Sequence, residues 1–258
     1  MKLTTIAAAA ATAAATAAGG AVSVLAIEGL LARRRRYLSA DLAPPGSGVF
    51  GAGRPLRLVM LGDSTAAGLG VAVTGETVGG RLAELLSSAG RRIHLSSGAV
   101  AGSRTADLDA QVARVLVHGV PDVAVILIGG EDAIAFTPIE VVEDELTATV
   151  RRLVTAGTAV VVGTCPDLGA ARNFGQPLRE IMAWSGRRVA AASGRAAAEA
   201  GAGVVDLAGR TGGVFRADAG TLSADGYHPS ADGYQLWALA LYPVVYEASR
   251  AASAPREF

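Results

Sequence analysis

Between residues 57 and 248, short apolar segments alternate five times with segments of helical periodicity, and that rhythm leaves few architectures open. Extended runs are predicted at 57–61, 92–95, 123–128, 159–162 and 204–207, and helices at 77–89, 105–117, 139–155, 177–200 and 230–248. The helices set apolar residues three and four apart, as in Leu108, Val112, Val115 and Leu116, so that one face is apolar. Gly90, Gly157 and Gly201 stand where three of them stop. The central strands are apolar on both faces, which predicts an α/β domain whose five-stranded parallel sheet is covered by helices on both sides.

In such sheets ligands bind beyond the carboxyl ends of the strands. The segments that follow the strands are 62–70, 98–104, 129–132, 163–167 and 209–228, and every residue with useful chemistry falls in one of them. The first contains Gly62-Asp63-Ser64 and the last Asp225-Gly226-Tyr227-His228-Pro229. Ser64 would present its hydroxyl at the start of a helical turn, where backbone N–H groups can face an oxyanion. Taken alone, Gly-Asp-Ser also describes an ordinary helix-capping turn. His228 adds the missing base, and Asp225 lies three residues before it, within reach of the ring through a short turn. His94, in a strand, and His118, at a helix end, read as structural. Serine, histidine and carboxylate together point to nucleophilic attack on an acyl carbon.

With these residues in hand, the chain resembles the SGNH (GDSL-type) hydrolases over residues 57–245. The first family block is similar to Leu61-Gly62-Asp63-Ser64, the second to Ala101-Gly102-Ser103-Arg104-Thr105, the third to Gly129-Gly130-Glu131-Asp132 and the fifth to Asp225-Gly226-Tyr227-His228. Gly163-Thr164-Cys165-Pro166-Asp167-Leu168-Gly169 resembles an actinobacterial branch with N-terminal membrane or export segments. The resemblance implies a flavodoxin-like three-layer α/β/α sandwich and a metal-free ester hydrolase. It implies Ser64 as nucleophile, His228 as base and then acid, and Asp225 as the residue that orients it. It also implies oxyanion donors in the N–H groups of Ser64 and Gly102, with lipid or short acyl esters as substrates.

The third implied oxyanion donor is an asparagine side chain, and here the chain has Glu131. An ionised carboxylate only accepts hydrogen bonds, and its charge would oppose the developing oxyanion. Three outcomes stand open. Glu131 is protonated by burial and donates through its O–H; or it turns away and leaves a slow enzyme with two donors; or the fold binds a ligand without turning it over. An acyltransferase to a sugar hydroxyl would use the same residues, and a structural cell-envelope factor would need none of them. Asp63 is expected to brace the strand end, Asp132 to order the third loop, and Asn173-Phe174-Gly175-Gln176 to rim an acyl pocket.

The rest of the chain sets context. Residues 6–32 are apolar or small apart from Glu28, and Arg33 to Arg36 follow. A run of that length can cross a bilayer. A signal anchor, a cleaved signal peptide and an Ala-rich tail compete, with membrane association preferred and secretion after cleavage as the alternative. The arginines favour a cytoplasmic domain by the positive-inside rule, the opposite of what a secreted lipase needs, so the side stays open. The expected division is an N-terminal segment 1–36, a Pro/Gly-rich linker 37–55, the hydrolase domain 56–250 and a tail 251–258. Residues 1–36 carry a net charge of +4 and the remainder −4, which offers no electrostatic footprint for nucleic acid. Cys165 is the sole cysteine, so no intrachain disulfide forms. No cofactor is expected, because Gly68-Leu69-Gly70 is too short for a phosphate-binding fingerprint. No metal is expected either, because no cysteine–histidine cluster is present. Oligomeric state is not legible.

Overall fold

A computed structural model describes residues 38–252. The predicted membrane segment and residues 253–258 of the tail lie outside them. Among the described residues, no helix is long and apolar enough to cross a membrane.

Six strands form one sheet: β1 Gly48–Phe50, β2 Arg54–Gly62, β3 Arg91–Ser97, β4 Val123–Leu127, β5 Ala159–Gly163 and β6 Gly203–Val205. Their order is β1-β3-β2-β4-β5-β6. Five run parallel, and β1 joins the edge antiparallel to β3, with Val49 opposite His94. The five-stranded expectation is therefore corrected to six, and the extra strand lies inside the expected linker. Its three residues have Val49 largely exposed, so burial wrote no apolar pattern there; only backbone pairing makes it a strand. Without that edge the order is the flavodoxin-like one, which reverses direction at β2 and opens a crevice there.

The helices are α1 Ser64–Ala67, α2 Val78–Ser88, α3 Leu108–Val117, α4 Gly130–Ile134, α5 Ile139–Thr155, α6 Leu178–Glu199, α7 Leu207–Ala217 and α8 Ala231–Ala251. Alternation along the strands divides the core. Leu58, Met60, Val123, Val125, Leu127 and Val161 face α2, α7 and α8. Val59, Leu61, Ala124, Ile126, Val160 and Val162 face α3, α5 and α6. A third apolar cluster, with Ala133, Cys165, Phe174, Met182 and Val189, lies between α4 and α6. Five predicted helices are present within a few residues of their expected ends. α4 and α7 fall in segments read as loops. α7 is started by the Asp206 side chain, which accepts from the Gly209 N–H.

Candidate active site

The β2 strand ends at Gly62, whose φ of +132° only glycine adopts without strain. A Cβ there would stand 1.7 Å from the Leu127 carbonyl oxygen of β4. The chain therefore turns tightly against β4. The Asp63 carboxylate caps the following turn by accepting from the Thr65 N–H at 2.9 Å and the Thr65 hydroxyl at 2.7 Å. Asp63 is buried, and burial raises its pKa against the lowering effect of the Thr65 bonds and of His228. Ser64 opens α1, where first-turn N–H groups have no acceptor within the helix.

His228 and Asp225 sit on a loop closed by a backbone bridge between Leu222 and Pro229. Asp225 Oδ1 accepts from the N–H groups of Tyr227 and His228 and from the Ser223 hydroxyl, each at 2.9 Å. Its Oδ2 accepts from His228 Nδ1 at 2.6 Å. With the proton held on Nδ1 by that carboxylate, Nε2 is left to accept from the Ser64 hydroxyl, 3.0 Å away across 164 residues of sequence. Ser64, Asp225 and His228 thus form one buried hydrogen-bonded chain. The Tyr227 ring meets the imidazole edge to face at 5.0 Å.

Burial alone would raise the Asp225 carboxyl. The hydrogen bonds from the His228 ring and from two backbone N–H groups outweigh it and hold the group well below the usual carboxylate range. A folded-state pKa below the unfolded one adds stability that is present above the unfolded value, about 3.9, and is lost as pH falls below it. Urea midpoints of the wild type and Asp225→Asn should therefore differ most near neutral pH and converge as the pH is taken below about 4. A gap that widens in acid would refute the account.

Gly102 and Glu131 line the same cavity as Ser64 and His228, a space of about 560 Å³. Most of its remaining lining is apolar: Leu69, Ile134, Leu178 and Met182, with the aromatic rings of Phe136, Phe174 and Tyr227. Of the Asn173–Gln176 segment expected at the rim, Phe174 alone lines this cavity. The Glu131 carboxylate makes no hydrogen bond or ion pair with any described residue. Burial, and then the nearby Asp63 charge, raise its pKa, against Arg104 and His228. Asp132 acts across loops rather than within the third: its Oδ2 accepts from the N–H and hydroxyl of Thr105, at 2.9 and 2.8 Å, which ties the Gly102 loop to α4. Cys165 is buried, and burial raises its thiol pKa, so it offers no thiolate. His94 and His118 lie elsewhere, around a separate hollow with Arg57. Among the described residues no group of three His, Cys, Asp or Glu side chains is placed to hold a metal ion.

Gln111 is a residue that reading for chemistry passed over. From the buried face of α3 its amide accepts from the Gly62 N–H at 2.8 Å. It donates to the Gly62 carbonyl at 2.8 Å and to the Ser103 hydroxyl at 3.0 Å. One side chain thereby joins the backbone just before Ser64 to the loop just after Gly102. Its signal was available: an amide three residues after Leu108, on an otherwise apolar stripe. Gln111→Leu strands the Gly62 N–H and is expected to cost about 1–3 kcal/mol. Urea unfolding would measure the loss, and an unchanged midpoint would contradict it.

This sheet order, with a serine–histidine–aspartate chain at the carboxyl edge, defines an SGNH-type α/β/α hydrolase. The sequence profile of the GDSL-like Lipase/Acylhydrolase family matches residues 60–236, and the chain belongs to that family of ester-hydrolysing enzymes. It is 38% identical over 212 residues to the GDSL-like esterase Rv1075c of Mycobacterium tuberculosis, covering 77% of this chain and 68% of that protein. Its fold is shared with TesA at a TM-score of 0.63 and 20% identity, over 74% of this chain and 99% of that one. A lipase/acylhydrolase from Enterococcus faecalis gives 0.58 and 19%, over 76% and 96%. A variant of the acetyl xylan esterase Axe2 from Geobacillus stearothermophilus gives 0.52 and 22%, over 75% and 95%. At such identities these structures speak to the fold alone.

Proposed function

We propose that this enzyme cleaves carboxylic esters through an acyl intermediate on Ser64. The observation that carries the reading is the continuous relay from Ser64 Oγ to His228 Nε2, and from His228 Nδ1 to Asp225. As Ser64 Oγ bonds to the acyl carbon, its proton passes to Nε2, and Asp225 stabilises the imidazolium without taking a proton. The imidazolium then protonates the departing alkoxide. In the second half, Nε2 takes a proton from water, the hydroxide attacks the acyl carbon, and Ser64 regains its proton as the acid leaves.

The backbone N–H groups of Ser64 and Gly102 serve as oxyanion donors in this reading. When ionised, Glu131 supplies no donor and slows turnover of neutral esters. The apolar cavity suits an acyl chain, and lipid or short acyl esters are the proposed substrate class. Residues 6–32 are proposed to hold the enzyme at a membrane. Leu38 and Ala40, which line the cavity, follow that segment closely in sequence.

A fluorophosphonate probe tests the activated serine. Labelling of the wild type that is lost in Ser64→Ala is the expected result. Folded wild-type protein that takes no label would favour a ligand-binding protein, a reading to which Glu131 lends some weight.

A further inference from the structure

We propose that the acyl group this enzyme prefers carries a quaternary ammonium, held by Glu131 and the aromatic residues of the cavity. The inference rests on the acyl-Ser64 reading and concerns which ester enters. Glu131 is the sole acidic residue among the described residues that line the cavity, and it has neither an ion pair nor a hydrogen bond with any of them. Its electrostatic neighbours include two further carboxylates, Asp63 and Asp132. Arg104, on the exposed side of the Gly102 loop, influences it without coming within ion-pair distance. Among the described residues, Arg104 and His228 act on this half-buried carboxylate only at a distance, and none supplies a cation in contact with it.

The walls say which cation fits. Phe136, Phe174 and Tyr227 line the same space, and aromatic faces attract a desolvated cation. A primary ammonium brings three N–H donors; the Glu131 carboxylate can take only part of them, and the leucine, isoleucine and methionine walls offer no further acceptor. A trimethylammonium group brings charge and apolar methyls without donors. It meets the carboxylate through charge and the rings through contact.

The chemistry says which part of the ester carries it. The alcohol departs as the acyl-enzyme forms, so a cation there would leave Glu131 uncompensated during deacylation. An acyl-borne cation stays on Ser64 through both steps and offsets the carboxylate in each transition state. The substrate then supplies the positive charge that the family's asparagine would have replaced with a donor.

The test compares ethyl esters of 4-(trimethylammonio)butanoate and 5,5-dimethylhexanoate, which share a shape and differ in charge. Each kcat/KM is divided by the rate of alkaline hydrolysis to remove intrinsic reactivity. The full-length wild type should favour the cationic ester by about tenfold or more, on the order of one well-placed cation–π or charge contact. Glu131→Gln should bring the ratio near one, through a gain on the neutral ester and a loss on the cationic one. Phe136→Leu, at a half-exposed position that leaves the core alone, should lower the ratio several-fold. A wild-type ratio at or below one, or one unmoved by Glu131→Gln, overturns the proposal. If neither ester is hydrolysed by folded protein, the parent reading fails, and calorimetry still decides this one. Butyltrimethylammonium should bind Ser64→Ala and bind at least tenfold more weakly once Glu131→Gln is added. Equal binding, or none, overturns it.

Discussion

Ser64→Ala is expected to lower kcat on a short acyl ester by a factor on the order of 10⁴–10⁶. The size follows from the relay. His228 Nε2 has Ser64 Oγ as its partner at 3.0 Å, and among the described residues no second hydroxyl or thiol hydrogen-bonds to it. Cys165, the sole thiol in the chain, is buried and protonated. In the proposed mechanism, what survives is the background that the backbone N–H groups of residues 64 and 102 and substrate binding sustain. The folded structure should persist, because the lost hydroxyl makes one side-chain hydrogen bond, worth about 1 kcal/mol. Steady-state kinetics beside a thermal melt separates the two effects. A tenfold loss or less would remove Ser64 from the mechanism, and His228→Ala added to Ser64→Ala should cost little more, since the two act as one unit.

Glu131→Asn is expected to raise kcat on a neutral short-chain ester by about tenfold or more. The change removes a carboxylate from the cavity that holds Ser64 and His228, and installs an N–H donor in its place. One such donor is worth about 10²–10³ in rate where it has been deleted elsewhere, so a tenfold gain assumes imperfect placement. A second signature follows from the raised Glu131 pKa. At low pH the group is neutral and opposes the oxyanion less. The wild-type rate, divided by that of Glu131→Asn, should therefore fall as pH rises through the titration of Glu131. A variant no faster than wild type at any pH would remove Glu131 from the oxyanion position.

The legible part of the protein was the part governed by burial. Strands β2, β4 and β5 are apolar on both faces because helices cover both, and Thr77 caps α2 where the apolar stripe begins. Ser64, His228 and Asp225, expected at the carboxyl edge, do meet there in one hydrogen-bonded chain. The edge strand β1 was not found: exposed Val49 and flanking glycines carry no burial signal. Gln111 escaped, and Asp132 was expected only to order its own loop, since neither the Gln111 nor the Asp132 contacts exist until distant segments meet.

The order of apolar segments along the chain thus determined the class of sheet and the edge at which Ser64, Asp225 and His228 were expected to gather. The packed structure alone decided that Nε2 of His228 lies 3.0 Å from Ser64 Oγ, that Gln111 fastens the Gly62 turn to the Gly102 loop, and that Glu131 lines an aromatic cavity without a hydrogen bond or ion pair to any described residue. The reason is physical. Periodicity records which face of each element leaves water, a local property, whereas distances between residues 64, 111, 131 and 228 are set by how six strands and their helices pack in three dimensions.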